Sequence, residues 1–143
     1  MKKVFISFAL ALAAVSTSYA HKLTIRLNGV DNEKGQIGIA VFSEAHFMDY
    51  NQLAWGKFVE PKTGTVTVEC DLPDGKYAVM VMHDENKNFT VDLAPNTGIP
   101  TESTGMSNNP TLRGFPTFDQ VGFSFNQDKT IDIQMVRYMA PQM

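Results

Sequence analysis

From Leu23 onward apolar and polar residues alternate, with Leu23, Ile25 and Leu27 set against Thr24, Arg26 and Asn28. That period of two is the mark of a strand with one buried face. Asp31-Asn32-Glu33-Lys34-Gly35 is turn chemistry, and Ile37, Ile39 and Val41 begin a second alternation. Val66, Val68 and Cys70 make a third. Leu72-Pro73-Asp74-Gly75 turns the chain into Tyr77-Ala78-Val79-Met80-Val81-Met82-His83, which is apolar on both faces and reads as a central strand. Near the end Val121, Phe123 and Phe125 alternate, Asn126-Gln127-Asp128 turns, and Ile131, Ile133 and Met135 alternate again.

Two stretches break this rhythm. Ala45 to Val59, with Phe47, Leu53, Trp55 and Phe58, reads as a short helix or a packed excursion. Leu93 to Asp119 has no period and is rich in Gly, Pro, Asn, Ser and Thr, which is long for a structureless connection in a compact domain. Its scattered Ile99, Met106, Leu112, Phe115 and Phe118 are placed to pin it to the body. The expected fold is all-β, a single β-sandwich (Ig-like or transthyretin-like) of six to eight strands with one long ordered loop.

The first twenty residues stand apart. Met1-Lys2-Lys3 is a basic start, Val4 to Val15 is almost continuously apolar, and Ser16 to Ala20 turns small and polar. This is the pattern of a secretory signal peptide over 1–20, too short to span a bilayer and followed by no second apolar run. Cleavage after Ala20 would leave His21–Met143 as one domain, periplasmic or secreted, without membrane insertion. Loss of Lys2 and Lys3 takes the formal net charge from −3 to about −5. An acidic surface without a basic stripe argues against nucleic acid as a partner. Cys70 is the one cysteine, so an intramolecular disulfide is excluded, and its alternating position marks it as a small buried hydrophobe.

The densest polar run, His83-Asp84-Glu85-Asn86-Lys87-Asn88-Phe89-Thr90-Val91-Asp92, leaves the end of the central strand. Asp84, Asn86, Asn88 and Asp92 hold the first, third, fifth and ninth positions of a calcium loop, with the Thr90 carbonyl at the seventh. Such spacing lets oxygens converge on a hard cation. The sixth position, normally Gly, is Phe89, and a left-handed conformation there costs about 1–2 kcal/mol. The twelfth is Pro95, so the bidentate Glu is missing unless Glu102 folds back. A β-turn in which Asn and Asp bond their own backbone is the alternative.

The Tyr77–Asn88 run, then Gly98-Ile99-Pro100-Thr101-Glu102, Gly105-Met106-Ser107-Asn108-Asn109 and Gly114-Phe115-Pro116-Thr117-Phe118, resembles the DUF2141 family of exported bacterial proteins of unassigned function. With Gly35-Gln36-Ile37 and the closing strand, the likeness takes in essentially all of the chain after Ala20. The family pattern implied is His-Asp-Glu-Asn, an Asn-Gly and a later Asp; this chain has Phe89 in place of that Gly. The resemblance implies a periplasmic β-sandwich and supplies no activity. Leu72–Tyr77 is also similar, over a short span, to transthyretin-like and carboxypeptidase-regulatory domains.

No Gly-x-Ser-x-Gly elbow, metalloprotease helix or phosphate loop occurs, so nothing positively indicates an enzyme. Trp55, Tyr50 and Phe58 offer either an aromatic platform or packing. His21 as a new amino terminus, with His46 or His83, would be a copper-chelating pair, a metalloenzyme alternative. The leading expectation is a monomeric binding module for an unknown ligand or envelope protein, Ca2+ being the candidate cofactor. Its cation would be held by Asp84, Asn86, Asn88, Thr90 and Asp92. Its ligand would meet His83, Glu85, Glu102, Ser107 and Asn108, where turn and long loop are expected to share one end. A structural or envelope-associated protein is the second reading.

Overall fold

The structure, a computed structural model, describes residues 20–138; the expected signal peptide over 1–20 lies, apart from Ala20, outside them. Eight strands occur in two sheets: β1 (His21–Val30), β2 (Gln36–Ser43), β3 (Trp55–Val59), β4 (Gly64–Leu72), β5 (Gly75–Asp84), β6 (Thr104–Met106), β7 (Phe123–Phe125) and β8 (Lys129–Gln134). One helical turn, α1 (Phe118–Val121), precedes β7. The first sheet has the order β4-β1-β8, with β1 antiparallel to β4 and parallel to β8. The second has the order β3-β2-β5-β6, and β7 pairs with β5 behind β6 on the same edge.

Alternation decides which faces meet. Leu23, Ile25 and Leu27 of β1 pair with Cys70, Val68 and Val66 of β4 in register, and Ile25 and Leu27 oppose Ile131 and Ile133 of β8. Their inward face packs on Ile37, Ile39 and Val41 of β2 and Tyr77, Val79 and Val81 of β5. A one-residue slip would turn each of these sets to solvent, so burial fixes the register. Outward, Arg26 of β1 donates to Asp132 of β8 at 2.7 Å and 3.0 Å, a bidentate pair at the surface. Cys70 is buried in the core, as its place in the alternation indicated, and burial, with Asp71 nearby, pushes its thiol up to about 11.

Both aperiodic stretches contain structure that the period did not show. After a one-turn 3-10 segment at Glu44–His46, the expected helix or excursion becomes β3, whose Trp55 and Val59 pack on the core. Five residues with Gly56 and Lys57 between the apolar ones are too few to register a period. The long loop is stitched down by β6, by a bridge between Leu93 and Pro100, and by a bridge between Thr104 and Val136. Val121, read as the start of a strand, closes α1 instead, with the Gln120 side chain accepting from the Thr117 N–H at 3.0 Å.

Direction follows from the pairings. β1 and β8 run the same way, β4 returns, and the Pro73–Asp74 turn sends β5 along the direction of β1. Asp31, Glu85 and Arg137, which follow the ends of β1, β5 and β8, therefore gather at one end of the sandwich. His21, Asp74 and Asp128 gather at the other, where the His21 ring lies 2.9 Å from the Asp74 carboxylate.

Candidate functional site

At the far end of β5 the chain doubles back through residues 84–92. Lys87 and Phe89 both adopt positive φ, 54° and 64°, so the turn forms with Phe89 in the left-handed conformation. Its ring stays 65% exposed and meets Phe58 edge-on at 5.2 Å between centroids. Asp84 explains how the strain is held. Its fully buried carboxylate accepts the N–H groups of Asn88 and Phe89, both at 3.0 Å, and the side-chain amide of Gln36 at 2.9 Å. Burial pushes this carboxyl up, but the Gln36 amide and the turn's N–H groups together outweigh burial and hold it below its ordinary value.

Asp92 is clasped from the same turn. The amide groups of Asn86 and Asn88 each donate to one of its oxygens at 2.6 Å, while the side-chain oxygens of these two residues accept the N–H groups of Asn88 and Thr90. The calcium-spaced residues are thus brought together and bonded to one another. For the loop to present six or more oxygens to calcium at about 2.3–2.6 Å, both amides must rotate to turn their oxygens inward. Asp84 would enter only by giving up N–H donors.

Glu102, 5% exposed, reaches over from the long loop and accepts the N–H groups of Glu85 at 2.7 Å and Asp92 at 3.1 Å. It joins the two segments through backbone. Ser107 and Asn108 stand away from this corner, alongside the middle of β5. The Ser107 hydroxyl accepts from the Val79 N–H at 2.9 Å and donates to the Val121 carbonyl, and the Asn108 amide donates to the Gly122 carbonyl at 2.8 Å. The expected single-ended meeting of turn and loop therefore holds for residues 93–106, whereas 107–119 runs back toward the opposite end to reach α1.

A second set of charges lies beside the turn. Arg137 donates to both oxygens of Asp31 at 2.7 and 3.0 Å, to Glu85, and to the Thr101 carbonyl at 3.1 Å. Asn32 donates to Asp31 at 2.9 Å and to Glu85 at 3.1 Å. The guanidinium holds the Asp31 carboxyl below its ordinary value. Burial raises Glu85, but Arg137 and Asn32 bring it below its ordinary value as well. His83, fully buried between the sheets, has its Nε2 2.7 Å from the Lys34 carbonyl. Its Nδ1 is buried with no hydrogen-bond partner among the described residues.

Sequence reasoning missed Asp31 and Arg137. A signal for Arg137 existed: it shares the parity of Ile133 and Met135, both buried, so it extends an inward-facing set with a charge. Glu85 stands to Val79, Val81 and His83 in the same way.

The other candidates separate. His21 and His83 lie at opposite ends of β5's length, about 26 Å for the eight steps from Gly75 to His83, so they do not share a copper ion. Trp55 packs on the core while Phe58 faces outward and Tyr50 sits edge-on to Phe42 at 5.1 Å, so the three do not form one platform. A groove of about 510 Å³ runs between the free edges of β3 and β4, floored by Val59, Val66 and Val68; none of the sequence-predicted site residues lines it. Among the described residues no helix is long and apolar enough to cross a membrane.

Compared with known families, residues 25–134 match the family described as an uncharacterized protein conserved in bacteria (DUF2141). Searches of curated proteins and of solved structures gave no match, and the transthyretin-like likeness of the Leu72–Tyr77 segment finds no support among them.

Proposed function

The chain belongs to the DUF2141 family, and from that premise we propose that it is an exported envelope binding module whose ligand is a divalent cation. The cation would be taken at the corner where β1, β5 and β8 end. The observation that carries this reading is an imbalance of charge. Asp31, Asp84, Glu85, Asp92 and Glu102 gather there, and among the described residues Arg137 is the one cation that forms ion pairs with any of them. Two of the five carboxylates are almost fully withdrawn from water, which strengthens the field felt by an approaching ion. On the turn itself, Asp92 would supply the carboxylate, Asn86 and Asn88 their rotated amides, and Thr90 its carbonyl.

Calcium titration of the purified protein in about 0.15 M sodium chloride, a strength that screens a diffuse ion cloud, tests this. A site with a dissociation constant near ~0.1 mM stabilises the fold in ~1 mM calcium by roughly 1.4 kcal/mol, a melting shift of a few degrees. Asp92→Asn should remove the shift and Lys87→Ala should leave it. Asp92 is the better probe than Asp84, whose carboxylate the turn needs in order to fold.

A second reading is favoured by how Asp84, Glu102, Ser107 and Asn108 are used: each accepts or donates to backbone and fixes a loop. On this reading the corner is scaffolding for a structural or envelope-associated protein, and neither calcium nor any other divalent ion moves its melting temperature.

A further inference from the structure

We propose that Asp31, His83 and Glu85 form a site for a first-row divalent transition ion of the zinc type, closed in this structure by the guanidinium of Arg137. The proposal rests on reading the corner as a cation site and narrows it to a different set of residues and a different ion chemistry.

A ring nitrogen of His83 and one carboxylate oxygen each from Asp31 and Glu85 all lie within 4.8 Å of one another. The acidic pair alone would mean little. What singles the place out is the histidine. Nε2 faces the Lys34 carbonyl at 2.7 Å, and a carbonyl only accepts, so Nε2 carries the hydrogen and the neutral ring keeps its lone pair on Nδ1. That atom is buried and unpartnered among the described residues. A buried acceptor left without a donor is costly, and such atoms in a folded protein ask for an explanation. A ligating imidazole has this same arrangement: one N–H given to a backbone carbonyl, fixing ring and tautomer, and a bare nitrogen opposite.

The donor set selects the ion. One imidazole nitrogen and two carboxylates suit zinc and its divalent neighbours, which take three protein ligands and leave a position for water or a further ligand. Calcium, which collects six to eight oxygens, is poorly served by it and fits the neighbouring turn better.

Arg137 stands where the ion's charge would be. It bonds both carboxylates and is itself 31% exposed, beside an Asp31 side chain that is 42% exposed. Ion and guanidinium compete for the same oxygens, and binding releases Arg137. This gives an expectation that a merely structural arginine would not: Arg137→Met should bind zinc more tightly, by about tenfold or more, because it removes a unit charge from within about 4 Å of the ligands.

The experiment is titration of the purified protein with zinc alone, read by calorimetry and by the nitrogen chemical shifts of the His83 ring. One ion should bind and move Nδ1. Asp31→Asn and Glu85→Gln should each weaken binding by about tenfold or more, while His21→Gln, which removes the imidazole beside Asp74 and Asp128 at the other end, should change nothing. If zinc leaves Nδ1 of His83 unmoved at ~1 mM, if His21→Gln abolishes binding, or if Arg137→Met binds no tighter, the proposal is wrong. The wild-type shift does not depend on any variant folding. A calcium response lost in Asp92→Asn, with no zinc at His83, overturns this site alone; silence toward both ions overturns the cation reading with it.

Discussion

Gly35 lies directly against the Asp84–Glu85 backbone: a Cβ at Gly35 would overlap the Asp84 carbonyl oxygen and stand 2.6 Å from the Glu85 Cα. Its φ of 66° is also left-handed, so two independent constraints ask for glycine at the point where the first turn supports the second. Gly35→Ala should destabilise the fold by roughly 2 kcal/mol or more, lowering the melting temperature by several degrees. Thermal unfolding of the two proteins in parallel checks this. An unchanged melting temperature would mean that the two turns are not in contact.

The ion-pair network predicts acid sensitivity of a definite sign. Arg137 holds the Asp31 carboxyl below its ordinary 3.8, and with Asn32 it brings Glu85 below its ordinary 4.5 against the effect of burial. A carboxyl depressed by folding stabilises fully above its unfolded value and loses that contribution as pH falls through its folded value. Wild type should therefore exceed Arg137→Met by about 1–2 kcal/mol at pH 7 for a partly exposed bidentate pair. The difference should hold down to about pH 5 and shrink below about pH 4. Urea unfolding at a series of pH values reads it directly, and a gap that widens on acidification would contradict the assignment.

Amide exchange should divide the long loop in two. The N–H groups of Thr101, Thr104 and Ser107 are bonded to Asp92, Val136 and Val79. Between 110 and 116 the described hydrogen bonds include none from a backbone N–H, and Phe115 is 94% exposed. The first group should exchange slowly and the second nearly as fast as a free peptide. Uniformly fast exchange from Leu93 to Asp119 would mean that β6 does not hold.

Export predicts the mature end. The basic start, the apolar run and the Ser18-x-Ala20 ending should give His21 as the first residue when the native protein is weighed by mass spectrometry. An intact Met1 would remove the envelope from the proposed function.

What could be seen in the sequence was what repeats. β1, β2, β4 and β8 showed themselves through apolar side chains at every second position, and β5 through a run that is apolar on both faces. β7, three residues long, showed itself through Phe123 and Phe125 on either side of Ser124, whereas β6, equally short, is held by its partner β5 and has no pattern of its own to show. The site divides in the same way. The 84–92 turn was visible because its oxygen-bearing residues are neighbours in the chain. Asp31 and Arg137 were not, since they are 106 residues apart and meet only because β1 and β8 run side by side in the same direction. Phe89 was rightly identified as strained; what the sequence did not convey was that the buried Asp84 carboxylate holds the turn closed around it.

That side-by-side pairing of the first and last long strands also governs when the molecule can come into being. β1 is the middle strand of its sheet, and one of its two neighbours is β8, the last strand among the described residues. Until residues 129–134 have been made, Ile25 and Leu27 lack the Ile131 and Ile133 that oppose them, and the polar corner lacks Arg137. Contacts of such sequence separation form late and slowly. A chain that has not yet reached β8 therefore cannot complete its core, however fully β1 to β7 have been made.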